Sequence, residues 1–321
     1  MRIEKLEVPP DQRGSALYAE HRRDGIFFNP WAPFPHTLLD LVRFWIRPGL
    51  RARPRRIEPS RALPEITGRG SSITFVGHCT FAIREAVGVV LTDPHWGPRS
   101  KARRRKTPPG LVLEAVPESA HALVSHAHYD HLDRYTVARL PATTSWVVPL
   151  GLGAWLRGAG CERVVELDWW ERATDGSWRF TCLPAQHWSL RLSQRRNRTL
   201  WCSWLIESKS RRYYFAGDSG YFPGFREFGR RFGPIDVAFL PIGTYLPRWH
   251  LAYQHMDPSE AYRALIDLDA RALVPMHWGT FQMAWDPVHE APRELFRRVA
   301  QLGGDPTRVR LVDVGESWVL P

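Results

Sequence analysis

From residue 71 onward, short apolar runs separated by turn residues dominate the chain, and their lengths predict strands. Strands are expected over 73–75, 81–84 and 89–92, with Gly88 at a turn. The unbroken apolar runs 122–124 and 145–148 suit central strands covered on both faces. The second half repeats the theme over 178–183, 201–207, 213–216, 237–241 and 272–276. Helical patterns fall over 133–140, with Asp133 as N-cap, and over 151–159, 258–268 and 291–302. Pro258 and Pro292 sit at helix starts, where the missing N–H costs nothing. Two β-rich halves, each closing in helices, predict an α/β fold of two packed sheets with helices outside.

Residues 1–68 read differently, being rich in proline and arginine with one apolar segment over 37–46. That segment fits an amphipathic helix ended by Pro48-Gly49 and followed by Arg47, Arg51, Arg53, Arg55 and Arg56 around its end. The expected organisation is an N-terminal extension over 1–68, packed on a catalytic domain over 69–321. An apolar helix flanked by arginines also suits peripheral contact with an anionic bilayer.

The 321 residues suffice for one large α/β domain, and the formal net charge of +11 favours anionic partners. Only Lys5, Lys101, Lys106 and Lys209 are lysines, so arginine, which grips phosphate oxygens bidentately, carries most of the charge. Fifteen tryptophans spread along the chain imply packing more than one site. No apolar run approaches the ~20 residues of a spanning helix. The charged start Met1-Arg2-Ile3-Glu4-Lys5 lacks a secretory core, and the four cysteines have no CxxC spacing. A cytoplasmic protein with reduced cysteines is expected, peripheral to the inner membrane face if its basic segment touches lipid.

Chemistry concentrates in Ser125-His126-Ala127-His128-Tyr129-Asp130-His131, the loop leaving the 122–124 strand. Imidazole and carboxylate donors suit zinc and related divalent ions. Alternate residues on an extended loop project to one side, so His126 and His128 can share a metal while Asp130 and His131 reach a second. His187, Asp218 and His277 each follow a predicted strand, the placement that lets ligands from distant segments converge. His78 reads either as a partner behind the metal ligands or as a structural histidine.

This pattern resembles the HxHxDH…H…D…H signature of the metallo-β-lactamase superfamily. It is similar above all to the N-acylphosphatidylethanolamine-hydrolysing phospholipase D family and its bacterial relatives. The matching stretches include Phe75-Val76-Gly77-His78-Cys79-Thr80-Phe81, Leu91-Thr92-Asp93-Pro94, Ala216-Gly217-Asp218-Ser219-Gly220, Tyr253-Gln254-His255-Met256-Asp257-Pro258 and Met276-His277-Trp278-Gly279-Thr280-Phe281. The chain departs from the family's pattern at Cys79, where relatives carry alanine, at His95-Trp96-Gly97, and in a basic insert over 99–106.

The resemblance implies an αββα sandwich of two mixed β-sheets. It implies that His126, His128 and His187 hold one metal, that Asp130, His131 and His277 hold another, and that Asp218 bridges them. Two Zn2+ per chain are expected, iron or manganese being the alternatives. Asp130 would orient a water acidified by the metals, and His255 would touch the substrate. Tyr129, Trp188, Tyr245, Arg248 and Trp249 are candidates for the site mouth, Arg248 for an anionic group and the aromatics for an acyl chain. The function implied is a phosphodiesterase of the phospholipase D type acting on a phospholipid or other phosphodiester. A lactone or amide hydrolase on the same fold is the alternative. A nuclease is disfavoured because neither basic run, 103–106 nor 195–198, interleaves aromatic residues; a homodimer is admitted.

Overall fold

The computed structural model describes residues 1–46, 70–100, 103–191 and 195–321. The arginines at 47–56, the Pro48-Gly49 stop and Lys101-Ala102 of the basic insert lie outside the described residues.

The chain opens with a strand absent from the sequence reading, β1 (Arg2–Lys5), exposed throughout and without apolar alternation. A short hairpin, β2 (Arg22–Arg23) and β3 (Ile26–Phe27), precedes α1 (Leu38–Ile46), the expected amphipathic helix. The expected meander follows as β4 (Ser72–Gly77), β5 (Thr80–Glu85) and β6 (Gly88–Thr92). A second small hairpin, β7 (Arg99–Ser100) and β8 (Arg103–Arg104), leads to β9 (His121–Leu123). Next come α2 (Arg134–Val137), β10 (Ser145–Pro149) and α3 (Gly153–Gly158). Asp133 caps α2 as expected, accepting from the Thr136 N–H, although that helix is a single turn.

The remaining strands are β11 (Val164–Leu167), β12 (Glu171–Thr174), β13 (Arg179–Leu183), β14 (Ser203–Glu207), β15 (Arg212–Phe215), β16 (Ile235–Pro241), β17 (Ala270–Met276) and β18 (Ser317–Val319). Among them lie α4 (Gly224–Phe232), α5 (Arg248–Leu251), α6 (Pro258–Asp267) and α7 (Ala291–Gln301). At the start of α6, Asp257 and Glu260 form a reciprocal capping box with Pro258 in the first turn.

These strands make two seven-stranded sheets, ordered β11-β10-β9-β6-β5-β4-β18 and β1-β12-β13-β14-β15-β16-β17. Each is mixed: β6, β9, β10 and β11 run parallel to their neighbours, as do β15, β16 and β17, and the other pairings are antiparallel. Alternation along the strands sorts side chains to two faces. Ile73, Phe75, Phe81, Ile83, Leu123 and Val147 face the opposing sheet, where Phe81 packs on Phe239 with ring centroids 4.7 Å apart. Val76, Ala82, Leu91, Ala122 and Trp146 face outward into a second core closed by Leu132, Val137, Leu152 and Leu156. On the far side, Phe225 and Phe228 of α4 cover Tyr214 of β15, and α6 packs on β16 and β17. The architecture is therefore the expected αββα sandwich.

The sequence reading passed over β1, β11, β12 and β18. They lie at or beside the sheet edges, where a strand needs no continuous apolar face and its ladder bonds do the work. β1 pairs with β12 from Arg2 opposite Thr174 to Lys5 opposite Glu171, so the N-terminal segment adds a strand to the second sheet.

Candidate metal centre

The chemistry-bearing residues leave one edge of the sandwich, at the ends of β6, β9, β13, β15 and β17. The loop after β9 begins where Ser125 N–H and Oγ both donate to Asp93, each at 2.6 Å, tying it to the end of β6. Asp218 arrives after β15 through Gly217, whose φ is +57°. A Cβ on Gly217 would lie 2.5 Å from Ser125 Cβ, so only glycine lets the two loops approach this closely. His277 follows β17, also with positive φ (61°), and its N–H donates to the His78 carbonyl at 2.9 Å.

The seven predicted ligands come together in two overlapping groups. In one, donor atoms of His126, His128, His187 and Asp218 lie within 4.8 Å of one another; in the other, those of Asp130, His131, Asp218 and His277 do. Asp218 belongs to both. Its Oδ2 lies 3.2 Å from His131 Nε2, 3.7 Å from His187 Nε2 and 3.8 Å from His126 Nε2, while Oδ1 lies 3.3 Å from His277 Nε2. His126 Nε2 and His187 Nε2 stand 2.7 Å and 3.2 Å from His128 Nδ1.

A metal fits this arrangement on the structure's own terms. His131 Nε2, both ring nitrogens of His277 and Asp218 Oδ1 are buried without a hydrogen-bond partner. One such orphan costs about 1–3 kcal/mol, and the Nε2 atoms of His131 and His277 gather 3.2 Å and 3.3 Å from Asp218, an arrangement that calls for a cation. Partners on the far side of the rings set the coordinating nitrogens: Ser125 Oγ bonds His126 Nδ1 (2.9 Å), the Gln254 carbonyl accepts from His187 Nδ1 (3.1 Å), and Asp93 accepts from His131 Nδ1 (2.6 Å). Each leaves Nε2 facing the centre.

The electrostatics agree with ligation. Burial pushes His126 and His187 well below the ordinary imidazole range and His128 down to about 4, which keeps their lone pairs free. Burial opposes charge on Asp130 and Asp218, but His131 and its neighbours outweigh it and hold both carboxyls ionised. Burial likewise opposes charge on His277, yet Asp218 and Asp130 raise it to about 9, so ligation by this ring requires a cation to displace its proton.

His255 lies beside this cluster, buried, with Nδ1 unpartnered and 4.0 Å from Asp218 Oδ2. His78 takes the first of its two predicted roles, its Nε2 lying 3.0 Å from Asp130 Oδ2. Of the predicted mouth residues, Trp188 packs edge-on against His128 with centroids 4.5 Å apart and donates Nε1–H to Gln254. Tyr129 carries the Arg191 guanidinium over its ring at 4.6 Å. The structure does not bring the other three onto the metal ligands. Arg248 donates to the His255 carbonyl (2.9 Å) and Glu260 (2.6 Å), Trp249 lies half exposed against His250, and Tyr245 packs on the main core.

Sequence reasoning missed Asp93, which gathers three short hydrogen bonds behind the site. Asp93 follows β6 as Asp218 follows β15, but that position alone does not separate it from an ordinary strand end before a proline.

A profile of the beta-lactamase superfamily domain matches residues 89–278, more than half of the chain and every ligand named above. The N-acyl-phosphatidylethanolamine-hydrolyzing phospholipase D 1 of Caenorhabditis elegans is 35% identical over 272 residues, 78% of this chain and 76% of that protein. The chain belongs to the metallo-β-lactamase superfamily, in the N-acylphosphatidylethanolamine-hydrolysing phospholipase D branch. A second member of that branch, the mitochondrial enzyme of Saccharomyces cerevisiae, is 32% identical over 76% of this chain, which spans 55% of the yeast protein. The metallo hydrolase Igni18 of Ignicoccus hospitalis superposes with a TM-score of 0.59 over 78% of this chain and 98% of its own, at 22% identity, a likeness of fold. Membership of this superfamily makes the protein a hydrolase with His and Asp groups able to hold metal. Among the described residues, no helix is long and apolar enough to cross a membrane.

Proposed function

We propose that this hydrolase is a dinuclear zinc phosphodiesterase of the phospholipase D type, acting on a phospholipid or a related diester. The observation that carries the reading is the sharing of Asp218 between two complete ligand groups. Asp218 Oδ2 faces His126 and His187 of one group and His131 of the other, so this carboxylate would be shared if both groups held a cation. His126, His128 and His187 would hold one ion and Asp130, His131 and His277 the other. Such a pair supplies Lewis acidity to a phosphoryl oxygen and acidifies water near neutral pH.

The chain's own residues do the rest. His78 holds Asp130 through Oδ2, which leaves the other carboxylate oxygen to orient a water. His255 presents its unpartnered Nδ1 beside Asp218, within reach of a substrate oxygen. Arg248 positions His255 by holding its carbonyl, so its part is support and not contact with the substrate. Trp188 covers His128 and shields that side of the centre from water. Leu39 and Val42 of α1 and Trp249 of α5 are exposed apolar side chains suited to peripheral contact with a lipid surface.

The relatives' printed names support a glycerophospholipid diester over a lactone or amide. Purified protein should carry two metal equivalents and hydrolyse the phosphate–head-group ester of phospholipid vesicles, water adding to give a phosphatidic acid and the head-group alcohol. Turnover confined to a lactone and amide panel, with none on diesters, would overturn the assignment.

A further inference from the structure

A third group of donors overlaps the carboxylate side of the centre. Donor atoms of His78, Cys79, His131 and His277 lie within 4.8 Å of one another, all four residues buried. Cys79 sits in the turn between β4 and β5, directly after His78, whose left-handed backbone (φ 60°) turns the chain there. The His78 carbonyl anchors the His277 loop, and the His78 and His277 rings pack with centroids 4.1 Å apart. The Cys79 thiol thereby lies against His131.

Packing alone does not account for this thiol. His131 Nε2, His277 Nε2 and Nδ1, and His78 Nδ1 are all buried and without a hydrogen-bond partner. Donors to spare, with a polarizable sulfur among them, make a ligand set of mixed hardness.

We propose that Cys79 is a further metal ligand, its thiolate joining His131 and His277 on the ion that Asp130 and Asp218 also face. This rests on the two-metal reading above. Coordination forms one metal–sulfur bond and releases the thiol proton to solvent, with no change of oxidation state. Burial raises the thiol's resistance to ionisation in the absence of metal, and a coordinated cation removes the proton outright. Sulfur at this position shifts selection toward zinc or cobalt and away from manganese or magnesium.

The test uses the full chain stripped of metal and reloaded with Co2+ alone. Wild type should bind two equivalents and show an intense near-ultraviolet thiolate-to-cobalt charge-transfer band beside the visible ligand-field bands. Cys79→Ala and Cys79→Ser should lose the charge-transfer band, keep ligand-field absorption, and release one cobalt to a chelator with roughly 10–100-fold weaker affinity. Two bound cobalt ions without the band, or a band that survives Cys79→Ala, overturns the proposal while leaving the two-metal reading intact. No cobalt binding at all overturns both. Should the variants not fold, zinc-edge X-ray absorption of wild type decides: a sulfur scatterer at about 2.3 Å supports the ligand, and a shell of nitrogen and oxygen alone refutes it.

Discussion

Among the described residues, imidazoles with unpartnered ring nitrogens gather at the strand ends and also at the seam between α1 and α5. At the seam, His36 and His250 pack with ring centroids 4.5 Å apart, each with an orphaned ring nitrogen, and Phe44 of α1 stacks on His250 at 4.7 Å. Burial pushes both below the ordinary imidazole range, His250 to about 4 with help from His36. In that respect they match His126, His128 and His187. What differs is the carboxylates. At the strand ends Asp218 and Asp130 point into the cluster and Asp93 stands behind it. Among the described residues, the acid at the seam is Asp40, partly exposed and bonded to Thr37. Orphaned nitrogens alone mark a buried packing contact. With converging carboxylates they mark a cation site, because the anions cancel the cation's cost of entering the interior.

The hardest test of that contrast is Asp218→Ala. It removes the oxygen common to both groups, so both metal equivalents should be lost and activity should fall by more than the roughly 10–100-fold that losing a partner behind a ligand costs. Metal analysis and turnover, with circular dichroism as a control for folding, check it. Next, His187→Ala should release one equivalent and leave the Asp130, His131 and His277 side loaded. Loss of both ions would mean that the halves are not separable.

Asp93→Asn keeps the shape of a partner behind His131 but removes its charge. Activity should fall roughly 10–100-fold, with less affinity for one ion, whereas Ser125→Ala, which removes the hydroxyl between His126 Nδ1 and Asp93 but keeps the Ser125 N–H bond to Asp93, should cost less.

The smallest effect belongs to the seam. His250→Phe should leave metal content unchanged and alter only the pH dependence of stability. The folded protein resists protonating His250 down to about 4, while the unfolded chain takes the proton near 6.5, so this contribution is intact above pH 6.5 and is lost as pH falls toward 4. The variant's melting temperature should therefore decline less steeply than wild type over that window. A metal equivalent lost from His250→Phe would erase the distinction between the clusters.

Much of the site is legible in the sequence. His126, His128, Asp130 and His131 announce themselves by density, and His187, Asp218 and His277 by a shared position just after a strand. Asp93 was not legible as a functional residue, since Thr92-Asp93-Pro94 reads equally as a strand followed by a turn. Only its contacts with Ser125 and His131, 32 and 38 residues away, reveal its role. Arg248 illustrates the reverse: a cation near the predicted mouth invites an anion, and the fold gives it Glu260 and the His255 carbonyl instead.

Local pattern was enough to determine the strands of the two sheet centres, the helices of the second half and which His and Asp side chains gather at the strand ends. These depend on alternation, run length and residue chemistry, all carried by neighbours in the chain. Tertiary structure alone decided the edge strands, the layer of partners behind each ligand and the nearness of Cys79 to His131 and His277. Those depend on which loops are brought side by side when two sheets close on a common core, and spacing along the chain does not encode that distance.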